Sequence, residues 1–336
     1  MSDRFGSYAE ARIALARQAL AANPDSSDLQ FTLAEAVADA GDADEFARLF
    51  RQAYLLNPST RPSIPQRLTP PGAARLRAMA QALIARGVRY SPVLAAAAAA
   101  AAALGDRAEV DRLVDYGRFF RLVPQVLPDG FGGDFHAALA AEIKFNLKFY
   151  DVQARAIRKA WRNNHIMDSA LPACRAFAGE IARQVDRYIA ALRADDDHPF
   201  IASRPAEYRI GAWAVLSQGE GHHLSHIHPR AWMSGVYYVV RPAISRTPGN
   251  KQGWLRVGPP HIGMPEGVTL AGAGWQERLV EPEPGNLVLM PGYFYHETQP
   301  TGAEEERICI AFDVMPLELT AAKDAEGETG GSENLA

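Results

Sequence analysis

Four of the nine histidines of this chain fall within seven positions, in Gly221-His222-His223-Leu224-Ser225-His226-Ile227-His228-Pro229. A fifth, His296, closes the turn-like stretch Pro291-Gly292-Tyr293-Phe294-Tyr295-His296. Imidazole is a common ligand for iron, zinc, copper and nickel, so such crowding reads as a metal site. Side chains two apart on an extended segment point the same way, and His226 and His228 can therefore face one ion together, with a distant histidine completing the set. The isolated His136, His165, His198 and His261 read as surface or hydrogen-bonded core residues, and His222 and His223 as part of a solvated turn.

These residues need a rigid β-scaffold, and the flanking sequence supplies one. Trp232-Met233-Ser234-Gly235-Val236-Tyr237-Tyr238-Val239-Val240 is aromatic and β-branched, as a buried strand should be. A short strand is expected after Gly253-Trp254-Leu255, and Pro284-Gly285-Asn286-Leu287-Val288-Leu289-Met290-Pro291 reads as turn, strand and breaker. Arg307 opens a last strand, Arg307-Ile308-Cys309-Ile310-Ala311-Phe312-Asp313. The β core is expected from about residue 208 to 314.

This order of parts resembles the Fe(II)- and 2-oxoglutarate-dependent oxygenases, and more specifically a bacterial and phage 2OG-Fe(II) oxygenase group with His-x-His-Pro, Ser-Gly-Val-Tyr-Tyr and Pro-x-x-x-His. The likeness spans roughly residues 205–316. It implies a double-stranded β-helix (jelly roll), oxidative decarboxylation of 2-oxoglutarate to succinate and carbon dioxide, and hydroxylation of an unactivated C–H bond of a second substrate. It gives His226 and His296 the two histidine positions of the iron site. Arg307 would take the far carboxylate of 2-oxoglutarate, a pairing suited to the guanidinium fork. Tyr238 could offer its phenol to the same carboxylate, and Cys309 stands where relatives often carry Ser or Thr.

The chain departs from the superfamily at one position. His228 replaces the usual Asp, so the ligand set becomes three neutral histidines, with His223 or Glu220 as alternative third ligands. An ion pair of Arg307 with Glu304, Glu305 or Glu306 is the plainer alternative to co-substrate binding. Two other functions stay open: a three-histidine, cupin-type dioxygenase or isomerase that needs no 2-oxoglutarate, and a non-catalytic scaffold with a relic barrel.

The 336-residue length suggests more than one domain, and 48% hydrophobic with 22% charged residues is ordinary globular composition. A net charge of −4 without a basic block argues against nucleic acid or anionic membrane as partner. Two cysteines, and an N-terminus without an apolar stretch, point to a reducing, cytoplasmic setting.

The N-terminal part repeats itself. Arg17-Gln18-Ala19-Leu20 and Asn23-Pro24 return 34 positions later as Arg51-Gln52-Ala53-Tyr54 and Asn57-Pro58, the tetratricopeptide period. Gly41-Asp42 and Gly105-Asp106 open matching segments, each glycine ending one helix and each aspartate capping the next. The proline-rich residues 58–71 interrupt as a loop, and the nine alanines at 95–103 read as a tightly packed helix. We therefore expect an α+β multidomain chain: tetratricopeptide-like helical repeats at 1–125, a connector and sheet-packing helices at 126–204, the oxygenase barrel at 205–318, and a disordered acidic tail at 319–336. Within the second segment, 137–163 and 170–194 are expected to be helical. Helical repeats can present a concave surface to a protein or peptide substrate, or serve internal packing or homodimerisation.

Overall fold

The computed structural model describes residues 2–58, 62–150, 156–193 and 197–319. The anticipated acidic tail beyond Leu319 lies outside them. The chain opens with α1 (Ser2–Ala22), α2 (Ser27–Asp39), α3 (Ala43–Leu56), α4 (Pro70–Ala85), α5 (Ser91–Ala103), α6 (Arg107–Leu113) and α7 (Tyr116–Phe119). From α1 to α6 each helix packs against the next.

The expected turns occur where the sequence places them. Gly41 and Gly105 follow α2 and α5 at φ +88° and +71°, a region costly for residues with a Cβ. Asp42 and Asp106 then accept hydrogen bonds from the backbone N–H groups of Glu45 and Glu109 at 3.0 and 3.1 Å, capping α3 and α6. The 34-residue echo falls on the ends of α1 and α3 and just beyond them. Every residue of α5 is buried, so its alanines let neighbouring backbones approach on all sides.

The middle of the chain contributes β1 (Arg121–Val123), α8 (Phe135–Lys144), β2 (Lys148–Tyr150), β3 (Ile157–Asn163), α9 (Pro172–Ala191) and α10 (Pro199–Ala202). The helix expected over 137–163 is therefore half right, since it stops at Lys144 and the remainder supplies two strands. Arg-Ala-Ile-Arg-Lys-Ala has good helix propensity, but pairing with a long neighbouring strand overrides that weak local preference. α9 matches its expectation, burying Phe177, Ile181 and Val185. Phe177 packs its ring against Tyr237 of the sheet, with centroids 5.2 Å apart.

The remaining strands are β4 (Tyr208–His223), β5 (Met233–Val240), β6 (Leu255–Val257), β7 (Arg278–Val280), β8 (Leu287–Pro291), β9 (His296–Thr298) and β10 (Arg307–Pro316). They form a seven-stranded sheet, β1-β8-β5-β10-β4-β3-β2, and a three-stranded sheet, β7-β6-β9, both antiparallel. The major sheet thus draws β1, β2 and β3 from before residue 204. A mixed chain results, helical at its N-terminal end and built on an antiparallel β core at its C-terminal end. One continuous apolar core runs through both parts.

The Ser-Gly-Val-Tyr-Tyr motif has a packing reason. A Cβ on Gly235 would stand 2.2 Å from the Phe312 ring and 2.8 Å from the Val288 carbonyl oxygen, so only glycine lets β10 and β8 close on β5 here.

Candidate metal centre and anion pocket

His226 lies just past the end of β4, where the backbone has left the major sheet and meets the start of β9. His226 and His296 exchange both N–H···O=C hydrogen bonds, each at 3.0 Å, which places their rings side by side with centroids 4.3 Å apart. Two residues on, the His228 N–H donates to the Gly292 carbonyl at 2.8 Å, tying the second half of the segment to the turn after β8. The period-two expectation holds: the metal-binding atoms of His226, His228 and His296 all lie within 4.8 Å of one another.

The ring nitrogens are sorted into two sets. Nδ1 of His226 lies 2.7 Å from the Leu224 carbonyl oxygen, and Nδ1 of His296 lies 2.9 Å from that of Phe294. His228 Nδ1 stands 2.6 Å from Asp313 Oδ1, an ion-pair distance without the alignment of a linear hydrogen bond. With an acceptor against each Nδ1, the network assigns the proton there and leaves each Nε2 as a lone pair. Nε2 of His228 and of His296 are 3.1 Å apart. Two lone pairs at that distance repel unless a cation lies between them. Two adjacent ligands of one ion at ~2.1 Å would stand about 3 Å apart.

Burial keeps the His226, His296 and His223 rings neutral. Desolvation, helped by the neighbouring His228, lowers the pKa of His226 to about 3. It also pushes His296 and His223 well below the usual histidine range. Neutral imidazole is the form that ligates.

The alternative ligands are placed elsewhere. Glu220 is exposed and pairs with Lys159. His223 stacks beside His226 at 5.9 Å but is outside the three-member group. After desolvation, its proton affinity is depressed by His226, Arg307 and His228. His222 is likewise outside the group, with Nδ1 against the Glu220 carbonyl. The isolated histidines bond as structural residues: His136 to Tyr237, His165 to Asp168, His198 to the Arg112 carbonyl and His261 to Glu297.

Arg307, Cys309, Ala311 and Asp313 alternate onto one face of β10, opposite Ser217, Val215, Trp213 and Gly211 of β4. Arg307 is 1% exposed, yet its Nε and Nη2 have no hydrogen-bond partner, and Nη1 reaches only Cys309 Sγ at 3.5 Å. Glu305 instead accepts from the Ile244 N–H and Glu306 pairs with Lys144. Among the described residues no carboxylate pairs with Arg307. The Tyr238 ring lies under the guanidinium at 5.6 Å, and its buried hydroxyl makes no aligned hydrogen bond. Desolvation raises the Tyr238 pKa, so the phenol keeps its proton and can donate. A buried cation beside idle donors is costly unless an anion completes it.

The N-terminal helices brace this centre. Ser91 Oγ, at the start of α5, donates to the Ala231 carbonyl at 2.6 Å, and the Tyr54 hydroxyl of α3 donates to that of Pro229. Tyr293 Oη donates to the Leu113 carbonyl at 2.6 Å. Gly292 fits between the layers: a Cβ there would lie 2.2 Å from Ala231 O and 2.8 Å from Ser91 Oγ. Sequence reasoning missed Asp313 and Ser91. Asp313 was within reach, being one more step along the period-two face that links Arg307, Cys309 and Ala311. Ser91 carried no local signal.

Residues 211–313 match the family described as "Putative 2OG-Fe(II) oxygenase". The matched stretch contains the three clustered histidines, Tyr238, Arg307, Cys309 and Asp313. This part of the chain matches a 2-oxoglutarate-dependent oxygenase domain, a class with Fe(II) as cofactor and 2-oxoglutarate as co-substrate, and its three histidines form a group that could hold a metal ion. No curated protein matches the chain. Among solved structures it is similar to a Pseudomonas putida prolyl-4-hydroxylase, at 19% identity over 64% of this chain and 98% of that one, with TM-score 0.40. It is also similar to a Trichoplax adhaerens prolyl hydroxylase in complex with a hypoxia inducible factor peptide fragment, at 15% identity, 64% and 93% coverage and TM-score 0.41. A third is HygX from Streptomyces hygroscopicus with nickel, 2-oxoglutarate and hygromycin B bound, at 15% identity, 61% and 86% coverage and TM-score 0.38. Among the described residues no helix is long and apolar enough to cross a membrane.

Proposed function

We propose that the chain is a hydroxylase in which His226, His228 and His296 hold the iron, while Arg307 and Tyr238 hold the far carboxylate of 2-oxoglutarate, with Cys309 beside them. The observation that carries this reading is Arg307, a cation buried without a carboxylate partner on the inner face of the same sheet. When bound, Fe(II) and 2-oxoglutarate supply the oxidative decarboxylation, yielding succinate and carbon dioxide, that drives C–H hydroxylation. The chain's own residues bind and orient. The Nδ1 acceptors aim the three Nε2 lone pairs, Arg307 supplies the charge, and the protonated Tyr238 adds a donor. His223 and His226 are only half-buried and flank the accessible side, whereas His228 and His296 lie deeper.

Within this reading the two antiparallel sheets are the major and minor sheets of a double-stranded β-helix. The helices α1 to α6 are degenerate tetratricopeptide-like repeats, supported by the 34-residue echo and the matching capped turns. A protein or peptide substrate on those repeats is one use for them, and bracing of the metal turn is another that the contacts of Ser91 and Tyr54 favour. Both cysteines are free and buried, in keeping with a reducing, cytoplasmic setting.

A three-histidine dioxygenase that needs no 2-oxoglutarate is favoured by one observation, His228 in place of a carboxylate. It leaves Arg307 unexplained. Anaerobic titration with Fe(II) and then 2-oxoglutarate separates the two, because a bidentate 2-oxo acid on Fe(II) gives a weak visible absorption. We expect one ferrous ion per chain, lost on His226→Ala, His228→Ala or His296→Ala and kept on His223→Ala or Glu220→Ala. Metal binding without the chelate band would overturn the 2-oxoglutarate reading.

A further inference from the structure

We infer that Asp313 is the charge partner of His228, so that the carboxylate absent from the ligand set acts on the metal from behind one of the histidines. The inference rests on His228 being a ligand. His226 and His296 set their Nδ1 atoms against neutral backbone carbonyls, and His228 alone faces a carboxylate, 2.6 Å away. Among the described residues no Lys or Arg pairs with Asp313, and the imidazole of His228 is the group its carboxylate faces.

The position is held from several sides. Asp313 sits in the middle of the major sheet, paired with Gly211 on β4 and Ser234 on β5, so its backbone cannot drift. The His228 ring is covered by Trp213, stacked at 5.8 Å and 20°, and His228 is itself buried. In such a dry setting a carboxylate against Nδ1 polarises the imidazole and raises the donor strength of its Nε2.

Charge explains what this accomplishes. Two neutral histidines and one carboxylate around a divalent ion leave one positive unit, whereas three neutral histidines leave two. Counting Asp313 returns the total to one. The chain thus exchanges imidazole and carboxylate in depth rather than discarding the carboxylate, and Asp313 becomes a positioning residue that also sets the charge of the centre.

The test is a double-mutant cycle on the full chain, read by Co(II) titration without oxygen, using the visible d–d spectrum and the dissociation constant. Asp313→Asn keeps the shape and removes the charge. It should weaken Co(II) binding 10- to 100-fold, roughly the loss seen when such outer partners of a ligand are removed, and it should shift the d–d bands. In a His228→Asp background the sign should reverse: there two carboxylates face each other, so adding Asp313→Asn should tighten binding. Thermal unfolding of each metal-free variant checks the fold, with Asp313→Ser standing in if the Asn variant does not fold. Loss of metal on His228→Ala with unchanged affinity and spectrum in Asp313→Asn overturns the pairing alone. The same sign in both backgrounds also overturns it, because a purely structural role would weaken both. Full metal retention in His228→Ala overturns the ligand assignment, and the pairing with it.

Discussion

Replacing Arg307 by Met should separate binding from stability in opposite directions. The side chain is 1% exposed and two of its nitrogens have no hydrogen-bond partner. A buried donor left unpaired costs about 1–3 kcal/mol, and a cation–π contact such as that with Tyr238 recovers only ~0.5–1 kcal/mol. Met fills similar volume without charge, so the protein lacking co-substrate should gain on the order of 1 kcal/mol. The co-substrate complex should lose about 2–5 kcal/mol, because a desolvated carboxylate would be left without its partner. At 1.4 kcal/mol per decade this is a rise in 2-oxoglutarate dissociation constant of roughly 30- to 4,000-fold. Anaerobic chelate absorbance measures the second quantity and denaturant unfolding the first. Metal content should be unchanged. A 2-oxoglutarate affinity within about threefold of the parent would refute the reasoning, since a cation that can be removed so cheaply is not the anion's partner.

Acid should destabilise the metal-free protein early. An unfolded histidine takes its proton near pH 6.5, whereas folded His226 does so only at about 3, with His223 and His296 also shifted down. Below about pH 6.5 the unfolded chain therefore binds more protons, and stability present above that pH is lost toward pH 3 at ~1.4 kcal/mol per pH unit per histidine. Guanidinium unfolding at stepped pH checks this, and a flat profile between about pH 6.5 and 4.5 contradicts it. Gly292→Ala should cost about 1–3 kcal/mol through its clash with Ala231 O and Ser91 Oγ, and should weaken metal binding by displacing His228. Denaturant midpoints and metal titration measure the two effects, and normal metal affinity in a destabilised variant would mean the turn does not position His228.

The histidine cluster was legible because its chemistry is local: two ligands come from one extended segment, and period-two geometry needs no knowledge of the fold. Arg307 was singled out by the resemblance, as the cation one strand beyond the distal histidine, and not by local geometry. Capped turns such as Gly41-Asp42 were legible because backbone conformation and cap chemistry are written in adjacent residues. The β2–β3 hairpin was not, since Ile157, Ala160 and Arg162 become strand residues only when β4 is there to pair with them. Ser91 lay beyond reach too, because its acceptor is 140 residues away in the sequence. Asp313 shows a different kind of failure. The strand that carries it was expected, but its partner could be identified only once His228 had a position.

The seam between α5 and the metal turn has a thermodynamic consequence. Ser91 and Tyr54 hold the backbone carbonyls of Ala231 and Pro229, the Leu113 carbonyl holds the Tyr293 hydroxyl, and the apolar core crosses the boundary without a break. Free energy gained by a cation at three imidazoles is therefore not confined to the sheet that carries them. It is shared with every element that must open before that turn can open, at RT ln(1 + [L]/Kd), or about 2.7 kcal/mol at a hundredfold excess over Kd. The polyalanine helix becomes a reporter of occupancy: its melting records how full a site is to which it contributes no ligand.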